Sequence, residues 1–204
     1  MTYLYVDLET TGLPTGPYND LNQYDNCRIV SVALILVDGS KAGLPDFWKK
    51  TFMIKPDDFC VPDGMVHGIS HEMAEADGVD FVKAFTKLFS ILKYSNTFVA
   101  YNVDFDYNVL RAEFRRRNMR EHFTWLGSLK QMCVMKTALV ELGLPGYLRL
   151  QELYDFLIPD NPGFKAHDAM EDIWITLLCH RKIREIMLLK PKKEVPENVL
   201  VEYI

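Results

Sequence analysis

At 204 residues and 49% hydrophobic, the chain fits one domain with a substantial core, and its charges break every apolar run well short of the roughly 20 residues needed to cross a bilayer. A formal charge of −5 argues against a protein that coats nucleic acid by bulk electrostatics, but not against an enzyme whose basic residues are placed locally. Cys27, Cys60, Cys133 and Cys179 are far apart, which suggests neither a zinc motif nor a disulfide framework; buried free thiols, a soluble intracellular protein and no membrane partner are the expectations.

In chain order, Tyr3 to Leu8 reads as a strand, followed by a polar loop through Asn26 and a β-rich run from Arg28 to Val37 that ends at Asp38-Gly39. Lys50 to Lys55 alternates as a third strand, joined to the second by a loop holding Pro45 and Trp48. In Asp80 to Leu92 the residues Phe81, Val82, Phe85, Leu88, Phe89 and Leu92 recur at helical spacing, and Thr97 to Tyr101 is a short buried strand. Helices are predicted over Asp104 to Arg117, Lys130 to Leu142, Leu148 to Leu157 and Asp168 to Leu189, punctuated by Gly143, Pro145, Gly146, Pro159, Pro162 and Gly163. Residues 1–189 form the expected domain and 190–204 a C-terminal tail that docks on the body or on a partner.

Three acidic segments stand out. At the end of the first strand Asp7 and Glu9 alternate onto one face, with Val6 and Leu8 on the other. Like charges about 5 Å apart repel by roughly 3 kcal/mol at an effective dielectric near 20, a repulsion that a divalent ion reverses. An acidic pair at a strand end also serves as ordinary solvated loop chemistry. The second segment, Asn102 to Asp106, leaves the Thr97 strand and opens a helix, the position where ligands of open α/β sheets sit. Asp104 is expected to cap this helix and Asp106 to point inward, because Asp106, Val109, Leu110 and Phe114 share a face. The third, Ala166 to Asp172, opens the last helix: Asp168 with Glu171 three residues on resembles a capping box, which makes His167 and Asp172 the flanking pair that meets across the helix start. An imidazole and a carboxylate are a poor hydrophobic staple and a reasonable catalytic pair, although a lone His there is usually structural.

Together, D-x-E-T-T-G-L, N-x-x-F-D and H-x-A-x-x-D, in this order and on these elements, resemble the DEDDh 3′→5′ exonucleases, particularly those similar to the proofreading subunit of bacterial replicative polymerases. His67-Gly68-Ile69-Ser70 and Cys133-Val134-Met135-Lys136 also look like segments of that subset. The departures are Leu8 where Thr is frequent, Tyr101 where His often precedes the Asn, and the long loop from Pro14 to Cys27.

The resemblance implies a three-layer ribonuclease H-like α/β fold, with a mixed sheet of about five strands whose first three are antiparallel neighbours and helices on both faces. It implies Asp7, Glu9, Asp106, His167 and Asp172 as the catalytic five, with Asp7, Glu9, Asp106 and Asp172 holding two Mg²⁺ or Mn²⁺ ions and His167 taking a proton from the attacking water. Substrate contacts are expected from Thr10, Thr11, Leu13, His67 and Asn102, with plain core packing as the alternative for Leu13. The expected partner is nucleic acid with a free 3′ end, DNA rather than RNA, together with a polymerase or replication protein. Two rivals are a degenerate exonuclease fold acting as an interaction module and an endonuclease of the same broad fold; the intact acids disfavour the first and the H-x-A-x-x-D segment the second.

Two further groupings are weaker. His67 and His71 stand four apart, but Pro62, Asp63 and Gly64 place them beside a turn without two more ligands for zinc. Arg111, Arg115, Arg116, Arg117 and Arg120 follow Asp106 on its helix and either track a phosphate backbone or form a solvated face.

Overall fold

A computed structural model describes residues 1–39, 48–163 and 166–190. Five strands, β1 (Thr2–Thr10), β2 (Ile29–Asp38), β3 (Trp48–Met53), β4 (Thr97–Ala100) and β5 (Lys130–Cys133), form one mixed sheet in the order β3-β2-β1-β4-β5. β1, β2 and β3 are antiparallel neighbours, while β4 lies parallel to β1 and β5 parallel to β4. This is the ribonuclease H-like arrangement. The carboxyl ends of β1, β4 and β5 therefore lie along one rim of the sheet.

Alternation along β1 sorts its side chains between two cores. Leu4, Val6 and Leu8 join the layer built by α2 (Phe81–Leu92), α3 (Val103–Arg116) and α4 (Arg120–Ser128), where Phe85, Phe114 and Leu126 are fully buried. Tyr3 and Tyr5 face the opposite layer of α5 (Val134–Leu142), α6 (Leu150–Leu157) and α7 (Ala169–Leu189), with Leu153, Ile173 and Ile183 at its centre. Each fully buried Leu, Ile or Phe contributes about 1.5–3 kcal/mol relative to exposure. Asp7 and Glu9 continue the Tyr3-Tyr5 parity, so they end on the α7 side.

The strand and helix expectations hold with shifted ends, and four differ in kind. Lys130 to Leu142 is not one helix: Lys130–Cys133 is the edge strand β5, and α5 begins only at Val134. Arg120–Ser128 and His71–Asp77, the latter being α1, form helices that the spacing did not suggest. The third strand runs from Trp48 to Met53, so Trp48 belongs to the strand rather than the loop before it. Pro45 and residues 191–204 lie outside the described residues. Cys27, Cys133 and Cys179 are buried free thiols as expected, but Cys60 is exposed.

Four of the five arginines that follow Asp106 are engaged within the protein, although Arg115 remains exposed. Glu113, 1% exposed, accepts from Arg28 Nε at 2.9 Å, forms an ion pair with Arg116 Nη1 at 2.8 Å and also pairs with Arg117. Arg28 and Arg117 reach on to Asp57, Arg115 donates to the Leu21 carbonyl and Arg116 to that of Tyr24, while Arg111 stacks 4.9 Å from the Phe123 ring centroid. This network fastens α3 to the loop after β1 and to the segment after β3. Arg120, which begins α4, is exposed and has no such anchor among the described residues.

Candidate active site

β1 delivers its two acids and then stops. Its pairing with β2 shifts register between Glu9 and Thr10, an irregularity of the kind that ends a ladder and re-aims side chains. From the other layer, α3 starts directly beyond β4, and Asp106 in its first turn is 5% exposed. The Asp106 carboxylate accepts from the Leu8 backbone N–H at 3.1 Å, so the acid from α3 is fastened between Asp7 and Glu9. Asp104 does not cap α3; no side chain caps that helix, and Asp104 instead pairs with Lys136 of α5 at 2.5 Å. The carbonyl of Tyr101 is held by Met135 N–H at 3.0 Å and Cys133 Sγ at 3.2 Å, so the Cys133 to Lys136 segment grips the chain that leads into Asp106.

At the start of α7, Asp168 is the N-cap, accepting from Met170 N at 3.0 Å and Glu171 N at 3.1 Å. His167 and Asp172 meet across that cap: the His167 N–H donates to Asp172 Oδ2 at 2.9 Å. His167 has φ +66°, a left-handed conformation uncommon for a non-glycine residue, and its ring is exposed. One ligand atom each of Glu9, His167 and Asp172 lie within 4.8 Å of one another.

The electrostatics show what this convergence costs. Burial raises the Asp7 carboxyl well above the usual range, and the charges of Asp106, Asp172, Glu9 and Asp168 push it further in the same direction. Burial lifts Glu9 to about 7, with Asp172 and Asp168 adding to the effect. Burial raises Asp106 to about 8 against the lowering effect of its backbone hydrogen bonds, and Asp172 to about 6 against the neighbouring His167. Among the described residues none of these four carboxylates has a lysine or arginine ion pair. An all-oxygen set, partly buried, mutually repelling and without a protein cation, has the donor chemistry that suits Mg²⁺ or Mn²⁺. Asp168 bears on three of the four. Its charge toward the site was not legible as such, because capping explains its position in sequence.

The residues expected to touch substrate divide. Leu13 is 74% exposed, which removes core packing as its role. His67 lies beside the Thr10 backbone, its Nδ1 accepting from Ile69 N at 3.1 Å, and burial lowers its pKa against the Thr10 contact, with His167 adding to the lowering. The Thr11 N–H already donates to the Arg28 carbonyl at 2.9 Å and its hydroxyl to Asn26 O, so Thr11 buttresses the turn; the Thr10 hydroxyl donates to Gly12 O. Asn102 is half-buried at the N-cap position of α3 without a side-chain cap bond. His71 begins α1 and stands near the Val61 N–H, apart from the carboxylates.

A ribonuclease H-like sheet that gathers acids from β1, α3 and α7 at one rim defines the class. The RNase_T exonuclease family matches residues 4–178, and the chain belongs to that family. Comparison with curated proteins finds no match. Among solved structures, the zinc-ion-bound form of E. coli exonuclease I in complex with single-stranded DNA is similar, with TM-score 0.64 and 25% identity over 90% of this chain and 40% of the other. The exonuclease I structure that addresses how processivity is achieved matches with TM-score 0.64 and 25% identity over 90% of this chain and 41% of that one. E. coli exonuclease I with a dA16 oligonucleotide shares the fold at TM-score 0.66 and 24% identity, over 90% of this chain and 41% of its own. This chain thus spans about two fifths of the length of these relatives. Among the described residues no helix is long and apolar enough to cross a membrane.

Proposed function

We propose that the chain is a divalent-metal-dependent 3′→5′ exonuclease that removes nucleoside 5′-monophosphates from the 3′ end of single-stranded DNA. The observation that carries this reading is the approach of Glu9, His167 and Asp172 to within 4.8 Å, beside Asp7 and Asp106, in a chain of the exonuclease family. The single-stranded DNA seen with the exonuclease I relatives supports DNA as substrate. A polymerase partner rests on the family resemblance alone. A binding module would have no use for four acids that raise one another's pKa values.

Asp7, Glu9, Asp106 and Asp172 would hold two divalent cations, which when bound would supply charge neutralisation at the phosphoryl oxygens, a more acidic water and support for the departing 3′-oxygen. His167 takes the proton of the attacking water on a ring nitrogen. Imidazole begins near the pH of turnover, and the Asp172 carboxylate beside it stabilises the cation that forms. Asp172 also accepts from the His167 backbone N–H, so one carboxylate both binds metal and holds the base in place. The exposed Leu13 side chain stacks on the terminal base, His67 approaches the phosphate or the preceding nucleotide, and Asn102 lines the path.

The test is a set of 5′-labelled DNA and RNA oligomers, single-stranded and with matched or mismatched duplex ends, incubated with Mg²⁺, Mn²⁺ or EDTA. A ladder that shortens from the 3′ end only with metal is the expected result, fastest on single-stranded DNA. A discrete internal cut, or equal cleavage in EDTA, would overturn the reading.

A further inference from the structure

Arg28 immediately precedes β2, and its backbone and side chain are committed to different parts of the molecule. Its N–H donates to Thr11 Oγ1 at 3.0 Å, and its carbonyl accepts the Thr11 N–H at 2.9 Å. These reciprocal bonds pin the bend that follows β1, from which the exposed Leu13 projects. The buried side chain serves other segments. Nε donates to Glu113 Oε1 at 2.9 Å, Nη2 donates to Asp57 Oδ1 at 3.2 Å and Nη1 pairs with Asp58, while the guanidinium carbon lies 4.5 Å from the Phe59 ring centroid.

Each partner belongs to a segment that bears on the site. Glu113 lies two turns after Asp106 on α3, so the two acids share a helix face about 10 Å apart. α3 therefore meets the end of β1 twice: Asp106 holds the Leu8 N–H, and Glu113 holds Arg28, which holds Thr11. Asp57, Asp58 and Phe59 open the segment that leads to His67, which stands beside the Thr10 backbone. Three guanidinium nitrogens thus serve three acids, a geometry that a planar fork supplies and the single ammonium of lysine does not. The hydrogen bond from Arg28 also holds the Asp58 carboxyl below the usual range.

We propose that Arg28 is a positioning residue for the 3′-terminal nucleotide: it sets where Leu13 and His67 stand relative to Asp106, so that its loss misplaces the substrate end and leaves the carboxylates in place. This rests on the exonuclease reading above and deepens it. The contacts lead to the bend that carries Leu13, to the segment that carries His67 and to the helix that carries Asp106. A cluster that only stabilised the fold would have no reason to join these three.

Arg28→Lys keeps a cation for the buried Glu113 and gives up the fork. Well below its melting temperature it should raise KM for a single-stranded DNA oligomer about fivefold, with kcat within about twofold and calorimetric Mg²⁺ affinity within about threefold of wild type. Introduced into Leu13→Ala, the same substitution should raise KM by less than about twofold more, because both act on one bend. Amide hydrogen exchange needs no substrate: in Arg28→Lys, Thr11 should lose about tenfold more protection than Tyr5 in the middle of β1. Asp57→Ala with Asp58→Ala, two exposed positions, loosens the His67 arm alone and should raise KM about two- to threefold; it carries the test if Arg28→Lys does not fold. Unchanged KM in the folded variant, effects that multiply fully with Leu13→Ala, or Thr11 protection equal to wild type would overturn the positioning role. Absence of DNA shortening by the wild type with Mg²⁺ would overturn the exonuclease reading and the substrate role with it, while the Thr11 exchange would still decide whether Arg28 holds the bend.

Discussion

The Leu8 backbone N–H donates to Oδ1 of Asp106 at 3.1 Å, across 98 positions of sequence, and this bond joins the central strand to the first turn of α3. It places a buried carboxylate between Asp7 and Glu9, where the proposed cations would otherwise face only one side of the pocket.

Removing the Asp106 charge therefore changes how stability depends on pH. Glu9, Asp106 and Asp172 have folded-state pKa values raised to about 7, 8 and 6, so the folded apoprotein binds more protons than the unfolded chain and loses stability as pH rises from about 4 through 8. His180, pushed down to about 4 by burial, acts in the opposite direction at the acidic end, so the variant comparison isolates the carboxylates. Asp106→Asn, which keeps an acceptor for Leu8 N–H, should flatten the fall in melting temperature between pH 5 and 8 seen in EDTA. Mg²⁺ should raise the wild-type melting temperature more at pH 8 than at pH 5. Thermal melts at both pH values with and without Mg²⁺ check the sign.

His167→Ala and Asp7→Ala should separate base from ligand. Loss of a general base costs about 10²–10⁴-fold in rate, so His167→Ala should turn over slowly while retaining Mg²⁺ affinity. Asp7→Ala should lose both, because it is buried and the charges of four other acids bear on it. Single-turnover rates beside Mg²⁺ calorimetry distinguish the two; a near-normal rate for His167→Ala would remove the base assignment.

Leu13 offers a test of substrate contact without interference from folding. At 74% exposure its truncation to Ala should shift stability by no more than about 0.5 kcal/mol, and it should raise KM several-fold with kcat retained. Steady-state kinetics on a single-stranded oligomer decide it, and an unchanged KM would place the terminal base elsewhere.

Glu113 should behave as a structural residue. It is 1% exposed and pairs with Arg28, Arg116 and Arg117, so Glu113→Ala removes their buried counter-charge, leaves Arg28 and Arg117 with the exposed Asp57 and Asp58, and should cost about 3–5 kcal/mol. Arg115→Ala, by contrast, should leave the salt dependence of DNA binding unchanged, since its guanidinium is spent on the Leu21 carbonyl rather than on phosphate. Denaturant melts and a salt titration of oligomer binding check each.

Much of this architecture is legible in the sequence where one physical demand dominates. The first strand, its sorted acids and the Asp168 cap follow from period-two alternation and from the need to satisfy helix-end N–H groups, and both appear where expected. β5 escaped because it is only four residues long, Lys130–Cys133, with its first two exposed, and runs straight into α5 with no turn residue between. Asp104 was misassigned because capping is a local matter, whereas its partner Lys136 lies 32 residues on and becomes a neighbour only when β4 and β5 pair. The arginines of α3 mislead for a related reason: Glu113 lies one turn from Arg116 and Arg117 and is legible as their partner, but Arg28, Asp57 and the Tyr24 carbonyl join the network only in the folded chain.

The strand that carries Asp7 and Glu9 is paired with β2 along its length and with β4 over Tyr3 to Tyr5, which anchors it in the centre of the sheet. His167 has no such protection, since its position depends on one carboxylate bond and one helix cap. The pocket thus joins a jaw anchored in the sheet to one that a single local event can release. Changes that merely loosen the start of α7 would silence catalysis long before any melting curve recorded a loss.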